Sequence, residues 1–415
     1  MNTETLNAGS LDYSVVSYGL DVSNYPARTR LILKMLGKIH TGTLKLELPD
    51  GQCAYFGDET YPITLRLLDL SMCDAVLKSG DIGFAETYID GSWSTDNLTG
   101  LIELFIRNRE SIESLFHGKW WGQMLYRLRH LFNRNTRTGS RKNIHAHYDI
   151  GNDFYRLWLD PSMTYSSALF GKDFDGNLQQ AQDAKYRRIL KQLVVKPGAD
   201  ILDIGCGWGG FAEIAAKENG AKVRGLTLSS EQLQFAQQRL ADAGLSDQTD
   251  MLMMDYRDSD GQYDAIASIE MFEAVGEAYW PTYFECIARN LKDNGRACIQ
   301  TIVIADELFE NYRKGTDFIQ QYIFPGGMLP SCSAFRAEAE KHGLCIVNEF
   351  AFGPDYARTL AEWRDAFKRQ LPEVRELGFD DRFLRTWEFY FGYCEAGFNV
   401  GSISVMQFTL KKTWS

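Results

Sequence analysis

The hydrophobic pattern of the chain is organised around one stretch, in which an apolar run breaks into a glycine-rich turn. The run is ILDIGCGWGG, from Ile201 to Gly210, and the helically spaced segment FAEIAAKEN follows it as far as Gly220. A strand, a glycine turn and a helix in this order are typical of the start of a doubly wound α/β domain. Ligands of such domains bind at the carboxyl ends of the strands.

The alternation of strand and helix continues downstream. AKVRGLTLSSEQ predicts a second strand ending near Leu228, and the helix after it is expected to use Ser230 as its N-cap. Further strands are predicted in TDMLMMDYRD, YDAIASIEMFEAVG, RACIQTIVIA, CIVNEFAF and GSISVMQFTLKK. Five strand–helix alternations indicate a parallel sheet, with the polar strand ends gathered at one rim.

The first part of the chain carries its own, smaller pattern. HTGTLKLELPDGQCAYFG alternates apolar and polar residues around a Pro-Asp-Gly turn, as a β-hairpin does, and LTGLIELFIRNRESIESLF has helical spacing. The run NRNTRTGSRKN contains no apolar residue and marks the predicted break. We therefore predict an N-terminal α+β domain over residues 1–132, a basic linker over 133–143 and a second domain over 144–415.

Composition narrows the class of protein. The chain has 415 residues, of which 45% are hydrophobic and 24% charged, as in ordinary globular proteins. A net charge of −11 argues against general nucleic-acid binding. The eight cysteines form no CxxC pair and the six histidines show no ligand spacing, so we expect reduced thiols and no metal site. With no apolar run of about 18 residues and no secretory signal, we expect a cytoplasmic location.

The acidity is uneven, because residues 117–142 contain seven Lys or Arg and no acid. Aromatic and aliphatic residues are interleaved with these cations, as in the pair Trp120–Trp121. Such a segment suits an anionic membrane surface, which would make the protein peripheral on the inner face of the membrane and the N-terminal domain membrane-associating. The alternative is a core-packed helix followed by a solvated basic linker.

The glycine turn narrows the choice of ligand. Its spacing is G-x-G-x-G rather than the G-x-G-x-x-G of dinucleotide sites, and no Lys-Ser or Lys-Thr follows it, as a triphosphate loop would require. With Asp203 two residues before the first glycine, the turn resembles that of S-adenosylmethionine-dependent methyltransferases. The alternative is another kind of α/β turn.

The chain from about Gly80 to its end resembles the cyclopropane-fatty-acyl-phospholipid synthases and the mycolic acid cyclopropane synthases. The stretches that carry the resemblance are GDIGFAETYIDGSW, HYDIGNDFY, LDPSMTYS, ILDIGCGWGG, LTLSSEQ, DYRD, MFEAVG, YIFPGGMLPS and FYFGYCEAGF. The resemblance implies a class I methyltransferase fold, which is Rossmann-like, with a mostly parallel seven-stranded sheet whose last strand inserts antiparallel, beside the smaller N-terminal α+β domain.

The resemblance also implies the cofactor, S-adenosylmethionine, and the positions that bind it. These are Tyr165, Ser166, Asp203, Gly205, Gly207, Gly209, Thr227, Gln232, Asp255, Tyr256 and Arg257. The TYS stretch and the glycine turn would contact the methionine part, the LTLSSEQ residues would flank the ribose, and the DYRD residues would edge the adenine.

On the acceptor side, the resemblance implies a bicarbonate ion that acts as general base. Its predicted ligands and neighbours are Glu273, Tyr356, Ile302, Gln300, Ser167 and Cys394. Gln300 stands where the family has His, and Ser167 where it has Cys, so an anion can still be hydrogen-bonded but without a cationic partner. Cys394 matches a cysteine described as active, although a lone Cys on an apolar helix is more often buried packing.

These features lead to three hypotheses for function. The first is a cyclopropane synthase that acts on unsaturated acyl chains of phospholipid in a membrane surface, with aromatic faces such as Tyr322, Phe324 and Tyr390 stabilising a carbocation. The second is methyl transfer to the same alkene that yields a methyl-branched or methylene product. The third is a catalytically silent lipid-binding protein, against which the intact cofactor positions argue. A homodimer is one open alternative for the oligomeric state.

We expect replacement of four arginines by Gln, at positions Arg127, Arg129, Arg134 and Arg137, to weaken binding to anionic vesicles. Each basic residue near the surface contributes about 1 kcal/mol, and salt screens this contribution. Vesicle sedimentation at low salt measures the effect, with a variant carrying Lys at the same four positions as the charge-matched control. Equal binding of the Gln variant and the unaltered protein would leave the segment as packing and linker.

Overall fold

The computed structural model describes residues 20–58, 61–113, 150–172 and 174–413. The basic aromatic segment and the predicted linker over 133–143 lie outside these ranges, so the predicted domain boundary stays a prediction. None of the helices within the described ranges is both long enough and apolar enough to cross a bilayer.

The N-terminal part is an α+β unit with a four-stranded sheet in the order β2-β1-β3-β4. Its strands are β1 Thr43–Glu47, β2 Cys53–Gly57, β3 Ile63–Leu67 and β4 Trp93–Thr95, and its helices are Ala27–Leu36, Ser71–Ile89, Leu98–Arg107 and Arg109–Glu113. The predicted hairpin is confirmed, because β1 and β2 pair antiparallel. The helical segment Ser71–Ile89 is broken at Ser79 and Gly80, whose backbone angles are not helical.

The larger unit is built on a seven-stranded sheet in the order β10-β11-β9-β8-β5-β6-β7. Its strands are β5 Asp200–Ile204, β6 Lys222–Thr227, β7 Thr249–Met253, β8 Tyr263–Ile269, β9 Leu291–Ile304, β10 Leu344–Ala351 and β11 Ile403–Lys412. Strands β5 to β9 are parallel to one another, whereas β11 runs antiparallel between β9 and β10. The seven-stranded fold with an antiparallel last strand is confirmed.

Helices cover the sheet and the loops at its carboxyl edge. They are Asn152–Arg156, Leu178–Leu193, Gly210–Asn219, Ser230–Asp242, Trp280–Asn290, Asp306–Tyr312, Cys332–Lys341, Gly353–Arg369, Leu371–Glu376 and Asp381–Asn399. The N-cap expected at Ser230 is wrong by one residue, because the Ser229 hydroxyl accepts the hydrogen bond from the backbone N–H of Gln232. Ser229 has the extended backbone that an N-cap requires, and Ser230 is already helical.

The two units share one hydrophobic core. Helix Leu98–Arg107 packs against helix Asp381–Asn399, and buried side chains from both units, including Trp93 and Trp363, belong to the same cluster. A polar contact crosses this interface, because the Thr99 hydroxyl donates to the Glu395 carboxylate at 3.0 Å. Arg364 also pairs with that carboxylate and leaves it charge-compensated.

We expect Phe335→Ala to destabilise the sheet unit strongly. Phe335 is fully buried and stacks on Phe408 of β11, with ring centroids 4.2 Å apart, and truncation of such a side chain costs about 3–5 kcal/mol. Val347→Ala, on the edge strand β10 with 45% of the side chain exposed, is the control and should change stability by about 0.5 kcal/mol or less. Urea unfolding followed by circular dichroism tests this, and equal midpoints for the two variants would contradict it.

Candidate functional site: two cavities that meet at a buried carboxylate

The glycine turn after β5 forms one wall of a small cavity at the carboxyl edge of the sheet. Gly205 and Gly207 line it and have backbone φ angles of +82° and +53°. A Cβ atom added at Gly207, a residue that lines this cavity, would meet no other atom within 4 Å. Gly209 has a different role, because a Cβ atom there would lie 3.1 Å from the Cβ of Ala236, so this glycine permits close helix packing.

Asp203, at the end of β5, also lines this cavity. The residue is buried, and neither oxygen of its carboxyl group has a hydrogen-bond partner among the described residues. Burial raises the pKa of Asp203 to about 7. Buried carboxyl oxygens need donors, so the site fits a ligand that carries a positively charged amino group or other N–H donors.

The ends of β6 and β7 supply the rest of the cavity wall. The Thr227 hydroxyl donates to the side-chain oxygen of Gln232 at 2.9 Å, and both residues are buried. Asp255 accepts two side-chain hydrogen bonds from Arg257, at 2.8 and 2.5 Å, and Tyr256 lies beside them. The structure therefore brings together the predicted strand-end residues. Asp255, which was expected near an adenine, is paired with Arg257.

The TYS stretch covers the same cavity from the other side. Tyr165 and Ser166 both line it, and the Tyr165 hydroxyl donates to the hydroxyl of Tyr390 at 2.8 Å. The Ser166 hydroxyl accepts a hydrogen bond from Lys185 at 2.5 Å. All the predicted cofactor residues except Gly209 line this cavity.

A second, much larger cavity of about 1760 Å³ lies between the N-terminal unit and the sheet. Apolar side chains from both units form much of its wall, among them Ile32, Leu65, Ile102, Phe324, Leu360 and Phe389. Tyr165, Glu270 and Ala274 line both cavities. The two spaces therefore meet beside the carboxyl group of Glu270.

Glu270 is the centre of the acceptor side, and the sequence reasoning missed it. Its Oε1 atom accepts from the backbone N–H of Ser167 and from the Gln300 amide, both at 2.8 Å, and its Oε2 atom accepts from the Tyr356 hydroxyl at 2.6 Å. These three residues were expected to surround an ion together with Glu273. The structure instead places them around the side chain of Glu270.

Two features of the chain point to Glu270. It is an acidic residue directly after the fourth parallel strand, where the pattern places ligand-binding residues. It also has a backbone φ of +51°, which is unusual for a residue other than glycine and is a common mark of a functional site. Only the first of these signals was readable before the structure.

Glu273 lies one turn further on and has a different environment. Its Oε1 atom accepts from the backbone N–H of Ile302, and its Oε2 atom has no hydrogen-bond partner among the described residues. Burial, and then the neighbouring Glu270, raise the pKa of Glu273 to about 8. We therefore expect Glu273 to be a neutral carboxylic acid at pH 7.

Glu270 is better placed to be ionised. Burial raises the pKa of Glu270 above its usual value, and the buried Lys185 and the donors Tyr356, Ser167 and Gln300 reduce that rise without reversing it. Lys185, also missed from the sequence, is fully buried, and burial lowers its pKa to about 7 while Glu270 opposes that shift. Glu270 and Glu273 thus differ in their hydrogen-bond donors and in their nearby charges. Such a difference in environment can make one carboxyl group a base and keep its neighbour neutral.

A chain of side chains fixes the orientation of the Gln300 amide. The side-chain oxygen of Gln300 accepts from the Gln407 amide at 2.9 Å, and the oxygen of Gln407 accepts from Arg188. Because a guanidinium group can only donate, both amides must present their NH₂ groups in the direction of Glu270. Gln300 can occupy this position although it is neutral, because the Glu270 carboxylate needs only a hydrogen-bond donor there.

The structure places Cys394 and two of the three predicted aromatic residues in the wall of the large cavity. Cys394 lines the large cavity, and burial raises the pKa of its thiol well above the usual value, so the geometry favours the packing interpretation over a reactive thiolate. Phe324 and Tyr390 line the same cavity, with ring centroids 6.4 Å apart. Tyr322 is not among its described lining residues, and its hydroxyl donates to Glu86.

Comparisons with known proteins were made for the sequence and for the structure. The family model described as mycolic acid cyclopropane synthetase matches residues 135–408. The tuberculostearic acid methyltransferase UfaA1 of Mycobacterium tuberculosis is 36% identical over 375 residues, which cover 88% of this chain and 87% of the relative. The cyclopropane-fatty-acyl-phospholipid synthase of Escherichia coli is 34% identical over 351 residues, covering 83% and 87%.

A solved structure agrees with these sequence matches. Mycolic acid cyclopropane synthase CmaA1, complexed with SAH and CTAB, superposes with a TM-score of 0.62 at 33% identity, covering 66% of this chain and 98% of that one. The residues of the small cavity fit S-adenosylmethionine, because the partnerless Asp203 oxygens suit its amino group and the cavity lies at the glycine turn.

We expect Gly207→Val to abolish S-adenosylmethionine binding, because the added side chain would enter the small cavity. Gly244→Val is the matched control: its φ of +70° imposes similar backbone strain, a Cβ atom there also meets open space, and the residue does not line the cavity. Calorimetry should show unaltered affinity for the control and none for Gly207→Val. Equal affinity in both variants would overturn the assignment of this cavity.

Proposed function

The chain belongs to the mycolic acid cyclopropane synthetase family, and on that premise we propose that it methylates the double bond of an unsaturated phospholipid acyl chain and closes a cyclopropane ring. The observation that carries the proposal is the junction of the two cavities. A small cavity whose lining suits a methyl donor and a large cavity with a mainly apolar wall share the residues Tyr165, Ala274 and the half-buried Glu270.

The residues of the small cavity would hold S-adenosylmethionine. When bound, this group supplies an electrophilic methyl on a sulfonium, which suits a nucleophile as weak as an isolated alkene. Asp203 would accept from its amino group, Thr227 and Gln232 would lie beside the ribose, and Tyr256 would offer a face to the adenine. Because the glycine turn brings the backbone close, the pocket would position the methyl group by contact, and positioning supplies much of the rate.

The large cavity would hold the acyl chain. Its volume of about 1760 Å³ exceeds the range of roughly 300–1,000 Å³ that is common for small-molecule pockets, as a long lipid chain requires. The side chains of its wall come from both the N-terminal unit and the sheet unit, so the acyl chain would lie along the interface of the two units.

The junction offers what the chemistry demands. Attack by the alkene leaves a carbocation on the acyl chain, and the faces of Tyr165, Phe324 and Tyr390 line the cavity where it would form. A desolvated cation–π contact contributes about 2 kcal/mol. Ring closure then requires loss of a proton from the transferred methyl group. Glu270, which lines both cavities, and Glu273 are among the carboxylic residues that line the large cavity.

A second candidate function shares the first step and differs in the product. The relationship to the tuberculostearic acid methyltransferase of M. tuberculosis, at 36% identity over most of both chains, favours a methyl-branched or methylene acyl chain. The cyclopropane and methylene routes need the same two cavities and lose a proton to the same base, so the choice between them depends on which bond the released electron pair forms. A saturated methyl branch would additionally require a hydride donor to reduce the methylene product. For the membrane, the support is the basic segment of the sequence, which would bring the protein to the phospholipid surface.

The test is product analysis with a trideuterated methyl donor. Vesicles with monounsaturated phospholipid are incubated with the protein, and the acyl chains are analysed by mass spectrometry before and after ozonolysis. A cyclopropane retains two of the donor's deuterium atoms and resists ozone, whereas a methylene product is cleaved. The Gly207→Val variant should give no labelled chain, while Gly244→Val should keep activity. Label found only in the headgroup or in protein would refute the proposal.

A further inference from the structure

The site contains a carboxylate at the place where the family resemblance implies an added anion. We propose that Glu270 is the general base of this enzyme and takes the place of bicarbonate, so that the reaction needs no added bicarbonate. The inference rests on the proposed function, and it concerns a residue that lies outside the set expected from the sequence.

The hydrogen-bond donors support this first. The backbone N–H of Ser167, the Gln300 amide and the Tyr356 hydroxyl were expected to bind the ion, and all three donate to Glu270 at 2.6–2.8 Å. A bicarbonate bound by the same donors would have to displace the carboxylate. It would then place a second negative charge beside the first in a buried site, where like charges repel strongly. The donor set therefore does not fit a separate ion.

The backbone supports it independently. Glu270 has a φ of +51°, and a residue other than glycine in such a region costs about 1–3 kcal/mol unless its surroundings hold it there. The backbone N–H of Glu270 donates to the Gln300 carbonyl at 2.8 Å, and the side chain makes its three further bonds inside the site. The conformation directs the carboxyl group to the junction, and glycine could adopt the same backbone without strain.

The charge of Glu270 and its number of acceptor positions also suit a general base. Lys185 is fully buried nearby and favours the ionised form of Glu270, and Glu273, with its pKa raised to about 8, adds no second charge at pH 7. A carboxylate offers about four lone-pair positions, and three are used by its partners. One position remains for a proton from the cavity wall that Glu270 shares with the acyl chain.

Ring closure by Glu270 conserves atoms and charge. The alkene π electrons have bonded the transferred methyl carbon, and the acyl chain carries a carbocation. A C–H bond of that methyl group then breaks, its electron pair forms the second ring bond, and the proton moves to the carboxylate of Glu270. Cation and carboxylate become a neutral cyclopropane and a neutral acid, and the acid returns its proton to water when the product leaves.

The experiment compares the unaltered protein with Glu270→Gly and Glu270→Gln in buffer freed of carbon dioxide, with and without added bicarbonate. The unaltered protein should be equally active in both buffers. Glu270→Gln should lose about 10²-fold or more in rate in both, because its amide fills the site without acting as a base. Glu270→Gly should be equally impaired without bicarbonate and should recover when bicarbonate fills the space left by the carboxylate.

Two further measurements do not depend on turnover. Titration with ¹³C-labelled bicarbonate, followed by NMR, should show binding to Glu270→Gly and none to the unaltered protein. Circular dichroism spectra and urea midpoints close to those of the unaltered protein would show that all variants are folded. Glu285→Gln, an exposed position on helix Trp280–Asn290, is the matched control and should leave the activity unchanged.

The outcomes separate the two proposals. Loss of activity of the unaltered protein on removal of bicarbonate, or a Glu270→Gln variant as fast as the unaltered protein, would overturn the role of Glu270 while leaving acyl-chain methylation intact. Failure of the unaltered protein to label any acyl chain, with or without bicarbonate, would instead refute the proposed function.

Discussion

The need to hold a charged carboxyl group inside the protein governs the arrangement of the site. Removing a carboxylate from water is costly unless it is hydrogen-bonded and its charge is balanced. Glu270 meets both conditions, with donors from the loop before helix Leu178–Leu193, from β9 and from helix Gly353–Arg369. The fully buried Lys185, when protonated, favours the ionised form of Glu270. The order of the site therefore depends on the packing of four separate segments.

The same constraint extends into the sheet. Gln300 can serve Glu270 only if its amide oxygen is satisfied elsewhere, and Gln407 on the antiparallel β11 provides that partner at 2.9 Å. The charged guanidinium group of Arg188 donates to the side-chain oxygen of Gln407 and is the last member of this hydrogen-bonded chain. The insertion of β11 beside β9 therefore fixes the direction of a hydrogen bond at the reaction site, in addition to completing the sheet.

The position of the carboxylate links the two cavities. The small cavity lies at the strand ends, whereas the large cavity lies against the N-terminal unit. The two cavities share the wall formed by Tyr165, Ala274 and Glu270. The proposed chemistry between a cationic donor and a lipid would thus take place at this shared wall.

The sequence by itself determined the fold and the cofactor side. Strand and helix periods and the glycine turn are local patterns, and parallel strands end at the same edge, so Asp203, Thr227 and Asp255 had to converge. The N-terminal hairpin and the antiparallel last strand were likewise readable from alternation and from the family resemblance. The N-cap at Ser229 was missed by one residue, since adjacent serines have equal propensity and only the backbone distinguishes them.

Only the tertiary structure decided the acceptor side. Glu270 and Glu273 are three residues apart and chemically alike, and motif matching selected the second. Their environments differ because Ser167, Gln300 and Tyr356 reach Glu270 from sequence distances of 103, 30 and 86 residues, whereas Glu273 receives the N–H of Ile302. Long-range hydrogen bonds and burial give the two acids their different environments, and neither is encoded in a local pattern of residues.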